Sequence, residues 1–268
     1  MGAWERVTHS AASTGQLVAT AAVAVARSAA AAYRAVDPDL RSHLAQLPAL
    51  GLTSLAGRAA APHALPDDGH RPVVCVPGLG GSPGNFLPLR LFLRLLGRRR
   101  TYAMAWPAGA TLEDTARHLR DFIGEVVTVN DLGPDAQVDV LTHSMGGLVA
   151  RLALEDEPTS ARVATLLTMA APHAGSHLAR YGATDHSLHL RPDSVLLERL
   201  ARQVPWRGPP AQPRLVALWS RADVIVLPAT SARVEGAENV ELEGFTHYSY
   251  LLHPAAWRVV ARTLAAAS

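Results

Sequence analysis

The stretch that decides the fold reads Leu141-Thr142-His143-Ser144-Met145-Gly146-Gly147. The apolar run from Gln137 to Leu141 before it reads as a strand, and Met145 to Glu155 after it carries helical spacing. The serine therefore falls on a sharp strand-to-helix turn. On such a turn the hydroxyl is exposed at the carboxyl end of the strand, and the next backbone N–H is aimed at whatever the hydroxyl meets. Strand and helix approach closely there, so the positions two before and two after the serine must be small. Gly146 satisfies this requirement, while Thr142 stands where glycine or sometimes alanine is usual.

Outward from this turn, the chain after Arg71 alternates short apolar runs with longer helical ones, the grammar of βαβ units. Strands are expected at Pro72 to Val76, Thr101 to Ala105, Gln137 to Leu141, Val163 to Met169, Arg214 to Trp219 and Asn239 to Leu242. Helices are expected at Asn85 to Leu96, Leu112 to Val129, Met145 to Glu155 and Pro254 to Ala267. Most of these strands lack polar alternation, as they would if helices covered both faces of a parallel sheet. The expected fold class is α/β, an open, doubly wound, mostly parallel six-stranded sheet flanked by helices, with an N-terminal helical extension. Ligands of such sheets bind outside the carboxyl ends of the strands, where Ser144 lies.

The 268 residues divide into an Ala-rich extension and linker over 1–70 and a main domain over 71–268. With 49% hydrophobic and 18% charged residues the chain as a whole is not disordered. Its single cysteine, Cys75, excludes an intramolecular disulfide. A formal net charge of +2, with signs interspersed, provides no nucleic-acid footprint. The one basic cluster, Arg98-Arg99-Arg100, reads as a solvated turn. In the extension the apolar run Leu17 to Ala26 is too short to span a bilayer as a helix, and a leader carrying Glu5 makes a poor secretory signal. An Ala-rich helix packing on the main domain is expected there, with peripheral membrane or lipid-interface contact as the second reading and a cytoplasmic location. Pro and Gly between Leu47 and Asp68 read as a linker or irregular wrap. The segment 172–213 breaks the strand and helix rhythm, carries a helix at Ser194 to Gln203, and reads as a lid-like insertion.

A serine hydroxyl becomes a useful nucleophile only when a base takes its proton and an acid orients that base. Asp223 follows the strand Arg214 to Trp219, and His247 follows Asn239 to Leu242, so both open at the same sheet edge as Ser144. Glu235 and Glu243 are rivals for the acid, and His253 and His173 for the base; the chain order Ser, Asp, His selects Asp223 and His247. His143 reads as structural. An oxyanion needs two backbone N–H groups. Met145 supplies one, and Leu79, in the glycine-rich loop Val76-Pro77-Gly78-Leu79-Gly80-Gly81-Ser82, the other. That loop lacks the lysine and spacing of a phosphate-binding loop and the spacing of a dinucleotide fingerprint.

These stretches, with Leu148 to Arg151, Ala171-Pro172-His173-Ala174-Gly175-Ser176, Arg191-Pro192-Asp193-Ser194 and the Val-Ile-Val-Leu-Pro run after Asp223, resemble the α/β-hydrolase superfamily and, within it, compact bacterial lipases and esterases. The resemblance covers about Arg71 to Ser268. It implies a Ser-Asp-His triad, a two-amide oxyanion hole, carboxylic, acyl-lipid ester substrates and no organic cofactor. Pro77 stands where many members have His, and Thr142 where most have Gly. No metal is expected, because Asp185-His186-Ser187-Leu188-His189 lacks the companions of a metal site. Phe86 and Trp106 are candidate substrate-binding residues, with core packing as their other reading. An acyltransferase or thioesterase would use the same three residues, and a non-catalytic binding protein on this fold is the alternative of a different class.

Overall fold

The computed structural model of the chain describes residues 36–57, 60–203 and 213–266. Six strands, β1 (Val73–Val76), β2 (Thr101–Ala103), β3 (Val138–His143), β4 (Val163–Met169), β5 (Arg214–Trp219) and β6 (Glu238–Glu241), form one sheet in the order β2-β1-β3-β4-β5-β6. Every pairing is parallel. The strand order reverses between β1 and β3, whose carboxyl ends lead into the loop at Pro77 and the turn at Ser144. A ligand crevice forms at such a reversal because the loops after the two strands leave in opposite directions.

Alternate side chains of each inner strand enter separate cores, as the period of two requires. Val74, Val140, Leu166 and Leu215 pack with helices α3 (Leu112–Val129) and α4 (Gly146–Ala153) on one face. Cys75, Leu141, Leu167 and Val216 pack with α2 (Leu87–Leu95) and α9 (Pro254–Ala265) on the other. β6 differs: it is polar and its Glu238 and Glu241 pair with Arg214 and Arg221. Charge on an edge strand discourages pairing with another chain.

Four expectations are corrected. The helix expected from Asn85 divides into a 3-10 turn, Pro83–Phe86, and α2, because Ser82 and Asn85 cap each other's backbone amides at the start of the turn. The stretch read as linker from Leu47 is helical as far as Ala56, the end of α1 (Pro38–Ala56), despite Pro48 and Gly51. Both of those residues face solvent, where a missing amide hydrogen bond is replaced by water, and tertiary contacts hold the helix. Arg98 and Arg100 are buried, and only Arg99 lies in solvent. Arg98 reaches the Leu264 carbonyl and faces the buried Asp139, and Arg100 pairs with Asp67. A buried carboxylate at the amino end of β3 needs cations beside it. Finally, the last strand runs over Glu238–Glu241 rather than Asn239 to Leu242.

Helix α5 (Glu157–Ala161) precedes β4, the segment after β4 contains a 3-10 turn, His177–Tyr181, and helices α6 (Asp185–His189) and α7 (Val195–Ala201), and α8 (Ser249–Leu252) lies between β6 and α9. The Ala-rich stretch from Leu17 lies outside the described residues. Among the described residues no helix is long and apolar enough to cross a membrane.

Candidate active site

Ser144 has φ of 53°, a left-handed conformation that side chains other than glycine adopt only under constraint. The constraint is visible on both sides. Its amide donates to the Met169 carbonyl at 2.9 Å, tying the turn to β4. A Cβ on Gly146 would stand 2.6 Å from the Val76 carbonyl oxygen, and one on Gly147 would stand 2.5 Å from the Ala171 Cβ. The helix thus enters against bare backbone, which also explains Thr142: its hydroxyl lies opposite Gly147, where no side chain competes for the space. Glycine at 144 relieves the strain, so Ser144→Gly is expected to raise stability by about 1 kcal/mol while abolishing activity. Urea unfolding of the two proteins checks it; a less stable glycine variant would show that the turn is unstrained.

The turns after β5 and β6 bring two more groups to this edge. His247 Nε2 lies 3.0 Å from Ser144 Oγ, and His247 Nδ1 lies 3.0 Å from Asp223 Oδ2. The other Asp223 oxygen accepts from the amides of Ile225 at 2.8 Å and Val226 at 3.0 Å, so the carboxylate cannot rotate away. Burial pushes the Asp223 carboxyl upward, but the hydrogen bond and charge of His247 with these two amides outweigh it and hold it below the usual carboxylate range. The rivals lie elsewhere. Glu235 and Glu243 are exposed, His253 caps α9, and His173 is buried between Thr168 and Arg151.

His143 plays a part that its sequence position did not disclose. Burial first, and the neighbouring His247 second, lower it to about 3, so its ring is neutral at neutral pH. Its Nε2 lies 2.8 Å from the carbonyl oxygen of His247, to which a neutral ring donates. The residue before the serine thus braces the backbone of the residue facing it.

Leu79 and Met145 flank the serine from two loops. Gly81 donates to the Gly78 carbonyl, closing a turn around Leu79 in which Gly80 has φ of 69°. Met145 begins α4, where the first amides of a helix have no intrahelical partner. Gly78 must lack a side chain, since a Cβ there would stand 2.9 Å from the Ser144 Cβ. Phe86 is buried and lines the cavity beside Ser144, together with Leu251 and Tyr248. Trp106 does not line that cavity. Its indole donates to the Pro77 carbonyl at 2.8 Å and supports the loop instead.

Two lining residues, Leu50 and Ser54, come from α1, the extension that the sequence left without a role. A signal for them existed. His43, Gln46, Leu50, Thr53 and Ser54 recur at helical spacing and form the inward face. That face is largely polar, however, while Leu52 and Leu55 on the outer side are 70% and 84% exposed. A reading that looks for an apolar inner stripe passes over such a helix.

A parallel sheet reversing at β1 and β3, with a strained serine on the turn after β3, has the architecture of the α/β-hydrolase fold. Within it, the family described as "PGAP1-like alpha/beta domain" matches residues 100–188, a stretch that holds the Ser144 turn and ends before Asp223. A putative GPI inositol-deacylase C of Yarrowia lipolytica is 43% identical over 68 residues, which are 24% of this chain and 8% of that protein. Among solved structures, lipase B of Aspergillus fumigatus is similar with a TM-score of 0.63 and 20% identity, over 78% of this chain and 55% of that one. The mature lipase BlEst2 of Bacillus licheniformis is similar with a TM-score of 0.62 and 18% identity, over 77% and 97% of the two chains. The fold is that of lipases and esterases.

Proposed function

We propose that the chain is a carboxylic ester hydrolase that cleaves the acyl ester of a lipid or lipid-like alcohol. Ser144 is the nucleophile, His247 the base, Asp223 its orienting acid, and the amides of Leu79 and Met145 the oxyanion hole. The observation that carries this reading is the continuous line of two 3.0 Å contacts from the Asp223 carboxylate through the His247 ring to the Ser144 hydroxyl. Distances of this kind lie within proton-transfer reach. The similarity to lipases and to a putative inositol-deacylase supports an ester as substrate, and a lipid as its alcohol part.

In this mechanism His247 Nε2 takes the Ser144 proton as Oγ attacks the ester carbonyl, and the tetrahedral oxyanion is held by the two amides. His247 then delivers its proton to the departing alcohol, leaving an acyl-serine. Water, deprotonated by the same nitrogen, attacks the acyl carbon and releases the acid. Asp223 keeps Nδ1 protonated and stabilises the imidazolium that forms. An acyl acceptor other than water would make the same machinery an acyltransferase, and product analysis with added alcohol separates the two.

A fluorophosphonate probe tests the proposal directly. The protein is expected to take up one equivalent on the peptide containing Ser144, and Ser144→Ala to take up none. Labelling that persists in the alanine variant, or fails in the parent, overturns the assignment.

A further inference from the structure

The cavity beside Ser144 has walls from two separate parts of the chain. One wall is the catalytic domain itself, the loop Gly78–Gly81 with Phe86 and Leu251. The facing wall is α1, which presents Leu50 and Ser54. Between them lies a partly open cavity of about 90 Å³. Pockets that take drug-sized ligands measure about 300–1,000 Å³. The space beside Ser144 falls well short of that range, as a site for a short acyl chain would.

α1 is seated too closely for this wall to be incidental. Asn85 Nδ2 donates to Ser54 Oγ at 2.7 Å and to the Leu50 carbonyl at 3.3 Å, and Ser82 Oγ donates to the Ser54 carbonyl at 3.1 Å. A Cβ on Gly84 would stand 1.9 Å from the Thr53 carbonyl oxygen, so helix and turn meet backbone to backbone. Further along, Gln46 donates to Thr246 and Ser249, the residues on either side of His247 and Tyr248. The helix therefore grips both the turn that carries Phe86 and the loop that carries His247. Its inward face is polar because it makes these bonds, and Leu50 is its one large apolar side chain turned into the cavity.

We propose that α1 is the specificity element of this site: Leu50, supported by Ser54, closes the acyl pocket and restricts the acid part of the ester to short chains. The inference rests on the ester-hydrolase reading and adds to it the size of the acyl group. It places the lipid character of the substrate in the alcohol, which leaves toward solvent, and a short acid on the serine.

The test uses the full chain with chromogenic acetyl, butanoyl and octanoyl esters and with ethyl and octyl fluorophosphonates. kcat/KM is expected to fall about tenfold or more from the butanoyl to the octanoyl ester. Leu50→Ala is expected to recover most of that difference, and Leu50→Trp to shift the preference to the acetyl ester. Labelling rates with the two fluorophosphonates are expected to follow the same order, which reads the pocket without turnover. Circular dichroism confirms that each variant is folded, and Ser54→Leu carries the narrowing arm if Leu50→Trp is not. Octanoyl turnover equal to butanoyl in the parent, or a chain-length profile indifferent to substitution at Leu50 and Ser54 in labelled protein, overturns the role of α1 and leaves the hydrolase reading standing. Absence of any labelling at Ser144 overturns both.

Discussion

Ser144→Ala and His247→Ala are each expected to lower kcat for a short chromogenic ester by up to about 10⁶-fold, and Asp223→Asn by about 10⁴-fold. In the proposed mechanism the first two remove the attacking oxygen or the group that takes its proton, so acylation of the serine is lost in one variant and slowed to a trace in the other. Asp223→Asn leaves the ring in place but exchanges an acceptor for an amide that favours the wrong tautomer. If the three residues act as the proposed unit, the double variant Ser144→Ala/His247→Ala is expected to be no slower than either single one. KM is expected to change little, since none of the three side chains holds the substrate before attack. Substantial turnover in the serine or histidine variant, measured with protein free of contaminating esterase, would remove these residues from the chemistry.

Acid is expected to destabilise the protein well before its carboxylates titrate. His143 and His173 are both buried and neutral. Burial first, then the charge of His247, lowers His143 from 6.5 to about 3, and burial with the charge of Arg151 places His173 well below 6.5. In the unfolded chain both rings bind protons as pH falls below 6.5, while in the folded chain they do not. Their folded values lie below their unfolded ones, so the stability they contribute is fully present above about 6.5 and is lost as pH falls from there toward 3. Each group contributes about 1.4 kcal/mol per pH unit inside that window, so lowering the pH from 7.5 to 5.5 is expected to remove about 3 kcal/mol. That is a large part of the roughly 5–15 kcal/mol that holds a domain folded. Asp139 acts in the opposite sense, because burial raises its carboxyl despite Arg71 and Arg98, and it softens the loss at the acid end. Urea titrations at pH 7.5 and 5.5 measure the effect, and His173→Phe is expected to flatten the dependence by one proton. A midpoint that does not move between the two pH values would show that these rings are already charged in the folded state.

Much of the fold was legible because its signals are local. β4 and β5 and the helix Leu112–Val129 occur where the apolar spacing puts them, since a strand buried on both faces and a helix with one apolar stripe each announce themselves over a few residues. The elements that differed share another cause. β6 is polar at a sheet edge, α1 turns its polar face inward, and Arg98 is buried beside a carboxylate more than forty residues away. Each is stabilised by a partner distant in the chain, and no short window contains both partners.

The same division runs through the candidate site. From the sequence alone came the α/β sheet, the turn that exposes Ser144, and the order in which an acid and a base would follow it, because strand period, glycine placement and chain order are properties of neighbouring residues. Only the tertiary structure decided that His143 braces His247, that Trp106 supports a loop rather than lining the cavity, and that α1 lines the space beside the serine. Those relations depend on contacts across the crevice at the reversal of the sheet. They exist only once the chain has folded around it.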